Sequence, residues 1–178
     1  FRGLVFFWNR DPEGRPLLAI LSAYARDALL RQSANFILGT QANEIITRVA
    51  LEHHIEKAFP ERFSPATLKS TAQNINSSWT KAGHLTGRNK KIRSRATPTP
   101  GSAAYAVFLG FLNGGRGLAL FETEYAKILD CPRQQTMELS QAAASKGWIT
   151  TNQIHDVFEV SFSNIIGKED LEKLREQN

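Results

Sequence analysis

Apolar residues recur at helical spacing along most of the chain, and the clearest run lies between residues 64 and 83. Steps of four, three, four and three positions place five residues on one helix face: Leu68, Ala72, Ile75, Trp79 and Ala82. Ser64 and Pro65 are typical of an N-cap and a first helical position, and Gly83 is typical of a helix end. The pattern predicts a helix that begins after Ser64 and ends at Gly83.

The opposite face of this helix is polar and contains no carboxylate. Its members are Lys69, Ser70, Gln73, Asn74, Asn76, Ser77, Thr80 and Lys81. A solvent-exposed helix face usually mixes Glu with Lys, because oppositely charged pairs four residues apart stabilise it. Amides, hydroxyls and cations without carboxylates are instead the groups that contact base edges and phosphates. The face is predicted to bind nucleic acid; the alternative is a core helix followed by a basic surface loop.

The segments on either side of this helix predict a β-hairpin and a supporting helix. Residues 84–85 form a short candidate strand, 86–91 a basic turn, and 92–95 the returning strand. Upstream, apolar residues at helical spacing predict a helix over 44–58, with Thr40 as a candidate N-cap.

The chain before residue 40 follows a similar pattern. Residues 4–8 are apolar and predict either a strand or the end of a helix. Helices are predicted to start at Pro16 and, after Asp27 as a candidate cap, to continue to Gly39.

A Pro-rich segment, Thr97–Gly101, divides the chain. It is predicted to be an extended connector, because neither a helix nor a central strand crosses such a sequence, and to separate the domains 1–96 and 101–178. Ser102 is then predicted to cap a helix to Leu112 that is apolar nearly all round and therefore buried.

The C-terminal domain repeats the order of helix, Gly, strand, turn and strand. The five segments are 134–146, Gly147, 148–149, 150–156 and 157–162. Helices are also predicted over 118–129 and 168–176. The turn of this second module contains no Lys or Arg, so we expect its surface to meet protein, either a partner or a second copy of the chain.

Composition limits the class of protein. With 178 residues, 42% of them hydrophobic, the chain can bury the core of one globular domain or two small ones. No segment is long and apolar enough for a transmembrane helix, and the single cysteine, Cys131, excludes an internal disulfide. We therefore expect a cytoplasmic protein without a membrane partner. The first residue is Phe1 rather than Met, which is compatible with a missing N-terminal portion.

The net charge of +5 is concentrated in one segment. Between residues 60 and 101, eight basic residues accompany a single acidic residue, Glu61, so this segment has a charge of +7 and the remainder −2. The basic residues are Arg62, Lys69, Lys81, Arg88, Lys90, Lys91, Arg93 and Arg95. Such a local excess is typical of proteins that bind a polyanion, most often nucleic acid.

The titratable residues do not form a recognisable catalytic or metal site. Glu122 and Glu124 are two positions apart and point to different helix faces, and Cys131 has no histidine near it in sequence. His53 and His54 are adjacent and project about 100° apart on a helix, so they cannot easily share a metal. We predict a protein that is not an enzyme and has no cofactor or metal.

Residues 44–95 resemble winged helix-turn-helix DNA-binding domains in the order of their elements and the placement of their charge. The resemblance implies a helix in the major groove and a wing on the adjacent backbone or minor groove. In its size and tandem modules the chain is also similar to small DNA-binding accessory proteins of bacterial phage-defence operons, such as the small DNA-binding subunit of BREX systems. This second resemblance implies a role in antiviral defence.

The prediction is a mostly α protein, a helical bundle with two winged-helix-like modules carrying short β-hairpins, that binds double-stranded DNA. The residues predicted to face bases are Gln73, Asn74, Asn76, Ser77 and Thr80. The residues predicted to neutralise phosphates are Lys69, Lys81, Arg88, Lys90, Lys91, Arg93 and Arg95. Two alternatives remain: a scaffold or interaction subunit whose basic stretch docks on an acidic protein, and an RNA-binding protein.

Overall fold

The computed structural model describes residues 1–154 and 157–167, which are mostly helical. The helices are α1 Arg2–Arg10, α2 Arg15–Tyr24, α3 Ala28–Gly39, α4 Arg48–Ala58, α5 Pro65–Lys81, α6 Pro100–Leu112, α7 Glu124–Lys127 and α8 Arg133–Ser145. The strands are β1 Ile45–Ile46, β2 Leu85–Thr86, β3 Lys91–Arg93, β4 Thr150–Ile154 and β5 Val157–Ser161, and a 3-10 helix spans Gly117–Phe121. The predicted mostly α class is confirmed. Among the helices described, none is long and apolar enough to cross a bilayer.

The chain divides into two units at the Pro-rich connector and within α2. One unit is Ser22–Thr97, and the other combines Phe1–Leu21 with the described residues from Pro98 onward. The predicted break near residue 97 coincides with this division. The first 21 residues, predicted to belong to a domain 1–96, instead belong with the C-terminal half, because α1 packs against α6.

The unit Ser22–Thr97 contains three helices, α3, α4 and α5, and one small antiparallel sheet. The strand order is β1-β3-β2, with Ile45 opposite Ile92 and Leu85 opposite Arg93. Trp79 of α5 is fully buried, and its Nε1 donates a hydrogen bond to Ser33 Oγ of α3 at 2.8 Å. This bond ties the predicted apolar stripe of α5 to the neighbouring helix.

The predicted ends of α5 are confirmed. Ser64 Oγ accepts a hydrogen bond from the Thr67 amide at 3.2 Å, and Pro65 occupies the first turn. Gly83 has a φ of +89°, the left-handed conformation that Gly adopts without the steric cost of a Cβ atom. Leu85 then begins β2, close to the predicted start of the hairpin.

The segment before α4 differs from the prediction. Thr40 lies at the C-terminal end of α3, and Thr47 is the N-cap of α4, accepting a hydrogen bond from the Ala50 amide at 3.1 Å. Residues 44–46, predicted to be helical, instead pair with β3, where the Arg93 amide donates to the Glu44 carbonyl at 2.8 Å. The predicted helix 44–58 therefore begins four residues later, because its first isoleucines complete a sheet.

The other unit is built around α6, which is buried from Gly101 to Phe111, as its apolar sequence predicts. Phe162 packs edge-on against Phe108 of this helix, with ring centroids 5.1 Å apart. Asp11 anchors the start of α6: its Oδ2 accepts hydrogen bonds from the Gly101 amide at 2.7 Å and from Thr99 Oγ1 at 2.6 Å. Thr99, rather than the predicted Ser102, is the N-cap, so the helix starts inside the predicted connector.

Several boundaries in this unit also differ from the predictions. The predicted helix 118–129 is instead a 3-10 helix followed by the single turn of α7, whereas residues 4–8 are helical, which is one of the two predicted alternatives. Of the predicted turn 150–156, residues 150–154 form β4 and pair with β5, and residues 155–156 lie outside the described part of the chain. Residues 148–149, predicted to be a strand, are described and do not form one. The helix predicted over 168–176 lies outside the described residues.

Candidate nucleic-acid interface

One face of the unit Ser22–Thr97 contains a groove of about 890 Å³. Three segments form its walls: β1 with the start of α4, the C-terminal half of α5, and the turn between β2 and β3. The lining residues are Ile45, Ile46, Thr47, Arg48, Gln73, Asn76, Ser77, Thr80, Lys81, Arg88, Asn89, Lys90 and Lys91. The groove therefore brings together the polar face of α5 and the basic turn.

Among the residues that the structure describes, the lining is strongly cationic and includes no Asp or Glu. Its five cations are Arg48, Lys81, Arg88, Lys90 and Lys91. Arg48 is paired with Glu52 of the same helix, with Nη1 and Oε1 3.3 Å apart. Thr47 and Arg48 also place the N-terminal end of α4, the positive end of its helix dipole, at the groove. Cations and a helix N-terminus together favour an anionic ligand.

A glycine shapes the basic turn between β2 and β3. Gly87 has a φ of +87°, and a Cβ atom placed there would lie 2.1 Å from the Lys90 carbonyl oxygen, so only Gly fits. Lys91 Nζ donates a hydrogen bond to the Gly87 carbonyl at 2.7 Å, across the turn. Arg88, Asn89 and Lys90 between them are exposed.

Most of the predicted contact residues lie at the groove. Eight of the twelve line it: Gln73, Asn76, Ser77, Thr80, Lys81, Arg88, Lys90 and Lys91. Lys69 is exposed one helical turn before Gln73, and Arg95 is exposed beyond β3, but neither lines the groove. These two cations could extend a contact surface but do not shape its centre.

The prediction that Arg93 neutralises a phosphate is wrong, because its side chain is buried with 3% exposure. The guanidinium donates hydrogen bonds to the backbone carbonyls of His84, at 3.3 Å, and of Ser94. Arg93 thus supports the base of the hairpin from inside the unit. An arginine in a hairpin sequence does not by itself reveal whether it points to solvent.

Asn74 lies away from the groove. It is exposed, and it lines a smaller depression of about 190 Å³ together with Asp27, Leu29 and Ser78, among others. A carboxylate beside it is unfavourable for a phosphate contact. The residues that were predicted to face bases therefore lie on two different sides of α5.

Asn76 lines the groove but is only 5% exposed, so the prediction of an open, base-facing side chain is wrong at this position. Its Oδ1 atom has no hydrogen-bond partner among the described residues. Leaving a buried acceptor unpaired costs about 1–3 kcal/mol, because its hydration is lost without replacement.

The aromatic and imidazole side chains near the groove have structural roles. His84 is fully buried and packs edge-on against Trp79, with ring centroids 4.7 Å apart. His54 stacks on Phe36 and its Nε2 lies 2.9 Å from the Gln32 carbonyl. Trp79 is thus unavailable for stacking on a single-stranded base. Among the described residues, no cluster of His, Cys, Asp or Glu has the geometry of a metal site.

One wall of the groove, residues 45–48, was not predicted from the sequence. Ile45 is 51% exposed, an unusual position for a large apolar side chain, and Arg48 adds a cation from a segment that was predicted to be a plain supporting helix. Two consecutive β-branched residues before a threonine are a sequence signal for a short strand followed by an N-cap, and they could have revealed it.

The chain matches no protein-family model, no curated protein and no solved structure.

Proposed function

We propose that the unit Ser22–Thr97 is a winged helix-turn-helix module that binds double-stranded DNA, with α5 in the major groove and the β2–β3 turn as the wing. The observation that supports this most directly is the groove, whose described lining brings together five cations, hydroxyls and amides and contains no carboxylate. Phosphates and base edges together require that set of groups.

The order of elements also supports the proposal. Helix α3, strand β1, helices α4 and α5, and strands β2 and β3 follow one another, and β3 lies between the other two strands. In a winged module this order places the last helix beside the hairpin, so both can reach one stretch of duplex. The net charge agrees: residues 22–97 contain twelve Lys and Arg and five Asp and Glu, a net charge of +7.

The C-terminal unit has a related order but different chemistry. Helix α8 precedes the hairpin of β4 and β5, as α5 precedes that of β2 and β3. Strand β4, the first strand of this hairpin, contains Thr150, Thr151 and Asn152 and no Lys or Arg. We propose that this second winged-helix-like module meets a protein partner or another copy of the chain.

A binding panel with the full chain tests the DNA proposal. Duplex DNA, single-stranded DNA, duplex RNA and an acidic polypeptide such as poly-glutamate are compared by fluorescence anisotropy at one salt concentration. We expect duplex DNA to bind most tightly, because the groove is cationic and the nearby tryptophan, Trp79, is buried rather than available for stacking.

Two results would contradict the proposal. Equal binding of poly-glutamate and duplex DNA indicates a surface that recognises charge alone, as expected of a subunit that docks on an acidic protein. Preference for duplex RNA or single strands assigns the surface to RNA or to unpaired nucleic acid.

A further inference from the structure

Two exposed apolar side chains lie at one wall of the groove and take no part in the proposed phosphate contacts. Ile45 is 51% exposed and lines the groove, and Val49 is 63% exposed and directly follows Arg48, another lining residue. Among the described residues of the unit Ser22–Thr97, no other large apolar side chain is exposed to this extent. The exposed apolar side chains of this unit therefore lie beside its cations.

The fold holds both side chains at this wall. Ile45 lies in β1 opposite Ile92 of β3, so the sheet fixes its backbone. Val49 lies in the first turn of α4, which Thr47 caps. Because Ile and Val are branched at Cβ and stiff at χ1, they lose little freedom when a ligand covers them. Ile45 and Val49 thus form a preorganised apolar edge of the groove.

A phosphate backbone explains the cations of the groove but not this apolar edge. Charged phosphate oxygens gain nothing from contact with a hydrocarbon side chain, and covering such a side chain is favourable when the covering group is also apolar. In the major groove of a duplex, the apolar group that a base edge presents is the C5-methyl group of thymine. Uracil and unmodified cytosine lack that methyl group. Thymine is therefore the base whose edge complements the apolar edge.

We propose that Ile45 and Val49 contact thymine methyl groups, and that the unit Ser22–Thr97 selects thymine-containing duplexes. This inference rests on the proposed DNA-binding function and specifies its substrate. Burial of one methyl group contributes about fourfold in affinity, equivalent to about 0.8 kcal/mol. Two methyl groups, one covered by each side chain, should contribute about fifteenfold.

Alternating A·T duplexes test the inference without knowledge of a target sequence, because every repeat along such a duplex presents the same methyl groups. Fluorescence anisotropy measures binding of the full chain to this duplex and to the same duplex with deoxyuridine in place of thymidine, which differs by the methyl groups alone. We expect the thymine duplex to bind about fifteenfold more tightly. A difference below about twofold, or tighter binding of the uracil duplex, would overturn the proposal, since one buried methyl group is worth about fourfold.

Variants locate the effect. Ile45→Ser with Val49→Ser removes the apolar edge and leaves the groove cations in place, so it should bind the two duplexes equally. Val5→Ser with Leu118→Ser is the matched control, because these apolar side chains are also exposed but belong to the other unit, and it should retain the preference. A preference of wild-type size in Ile45→Ser with Val49→Ser overturns the assignment.

A single substitution covers the case in which the double variant does not fold. Val49→Ser changes an exposed helix position, where Ser and Val have similar helix propensities, so the chain should fold normally. It removes one of the two proposed methyl contacts, and the preference should fall to about fourfold. An unchanged preference would show that Val49 makes no such contact and would overturn its assignment.

The same two duplexes separate this inference from the DNA proposal. Duplex binding with equal affinities for the thymine and uracil forms refutes thymine recognition and leaves the DNA proposal standing. Failure to bind either duplex at low salt refutes the DNA proposal, and thymine recognition with it.

Discussion

Replacing the three cations of the β2–β3 turn, Arg88, Lys90 and Lys91, by Ala should weaken DNA binding and, more tellingly, reduce its dependence on salt. Each phosphate neutralised by a cation releases counterions, and the slope of log K against log salt is about −0.9 per phosphate for duplex DNA. With Arg48 and Lys81, the described lining of the groove has five cations. The wild type should therefore have a slope of about −4.5, and the triple variant, with two groove cations left, about −1.8.

These slopes predict a large difference over an accessible salt range. Between 50 and 200 mM salt, wild-type affinity should fall about 500-fold, whereas that of the triple variant should fall about 12-fold. Fluorescence anisotropy with one labelled duplex at four or five salt concentrations measures both slopes. Because the three side chains lie in or beside an exposed turn, thermal unfolding of the variant should remain close to that of the wild type.

A control variant distinguishes local contact from overall charge. Arg26→Ala, Lys57→Ala and Lys127→Ala together remove the same three charges from exposed positions outside the groove lining. This variant should retain a slope near −4.5, since the five groove cations proposed to contact phosphates are unchanged. An equal change of slope in the two triple variants, or a flat salt response in the wild type, would refute the assignment of phosphate contacts to the groove.

Further predictions concern stability and thiol reactivity. Trp79→Phe removes the hydrogen bond to Ser33 and leaves a cavity, so urea unfolding should give a free energy about 2–3 kcal/mol lower; an unchanged value contradicts the assigned core role. Gly87→Ala forces a Cβ atom into the turn, so it should lower the unfolding free energy by more than about 1 kcal/mol and also weaken DNA binding. The control Gly39→Ala, with no atom near its Cβ position, should change neither the unfolding free energy nor DNA binding in this way. Asp11→Ala leaves the buried Gly101 amide without its acceptor and should cost about 2–3 kcal/mol in the same urea assay. Burial raises the pKa of the Cys131 thiol, so iodoacetamide at neutral pH should alkylate it more slowly in the folded chain than in urea; equal rates would contradict this.

The C-terminal half shows why some boundaries could not be predicted from sequence. The segment 118–129 has apolar residues at helical spacing, and Leu120 and Phe121 are buried as this predicts, but the backbone forms a 3-10 helix and one short α-helical turn. Local periodicity identifies which residues become buried. It does not fix the backbone geometry that buries them.

The sequence by itself determined much about the first unit. The ends of α5 follow from Ser64, Pro65 and Gly83. Ser64 caps the helix, Pro65 starts it, and Gly83 ends it because it has no Cβ atom, and each acts within one turn of its own position. The apolar stripe that contains Trp79 and the basic turn between β2 and β3 are likewise local patterns. Helix caps, periodicity and turns depend on neighbouring residues, and so a single sequence reveals them.

Only the tertiary structure decided which polar residues share a surface. Arg93 and Lys91 are two positions apart, yet one is buried at the base of the hairpin and the other lines the groove. Asn74 and Asn76 belong to the same helix but to different surroundings, and β1 became a wall of the groove by pairing with β3. Burial and strand pairing depend on residues distant in the chain, and the local pattern of polar and apolar positions does not contain that information.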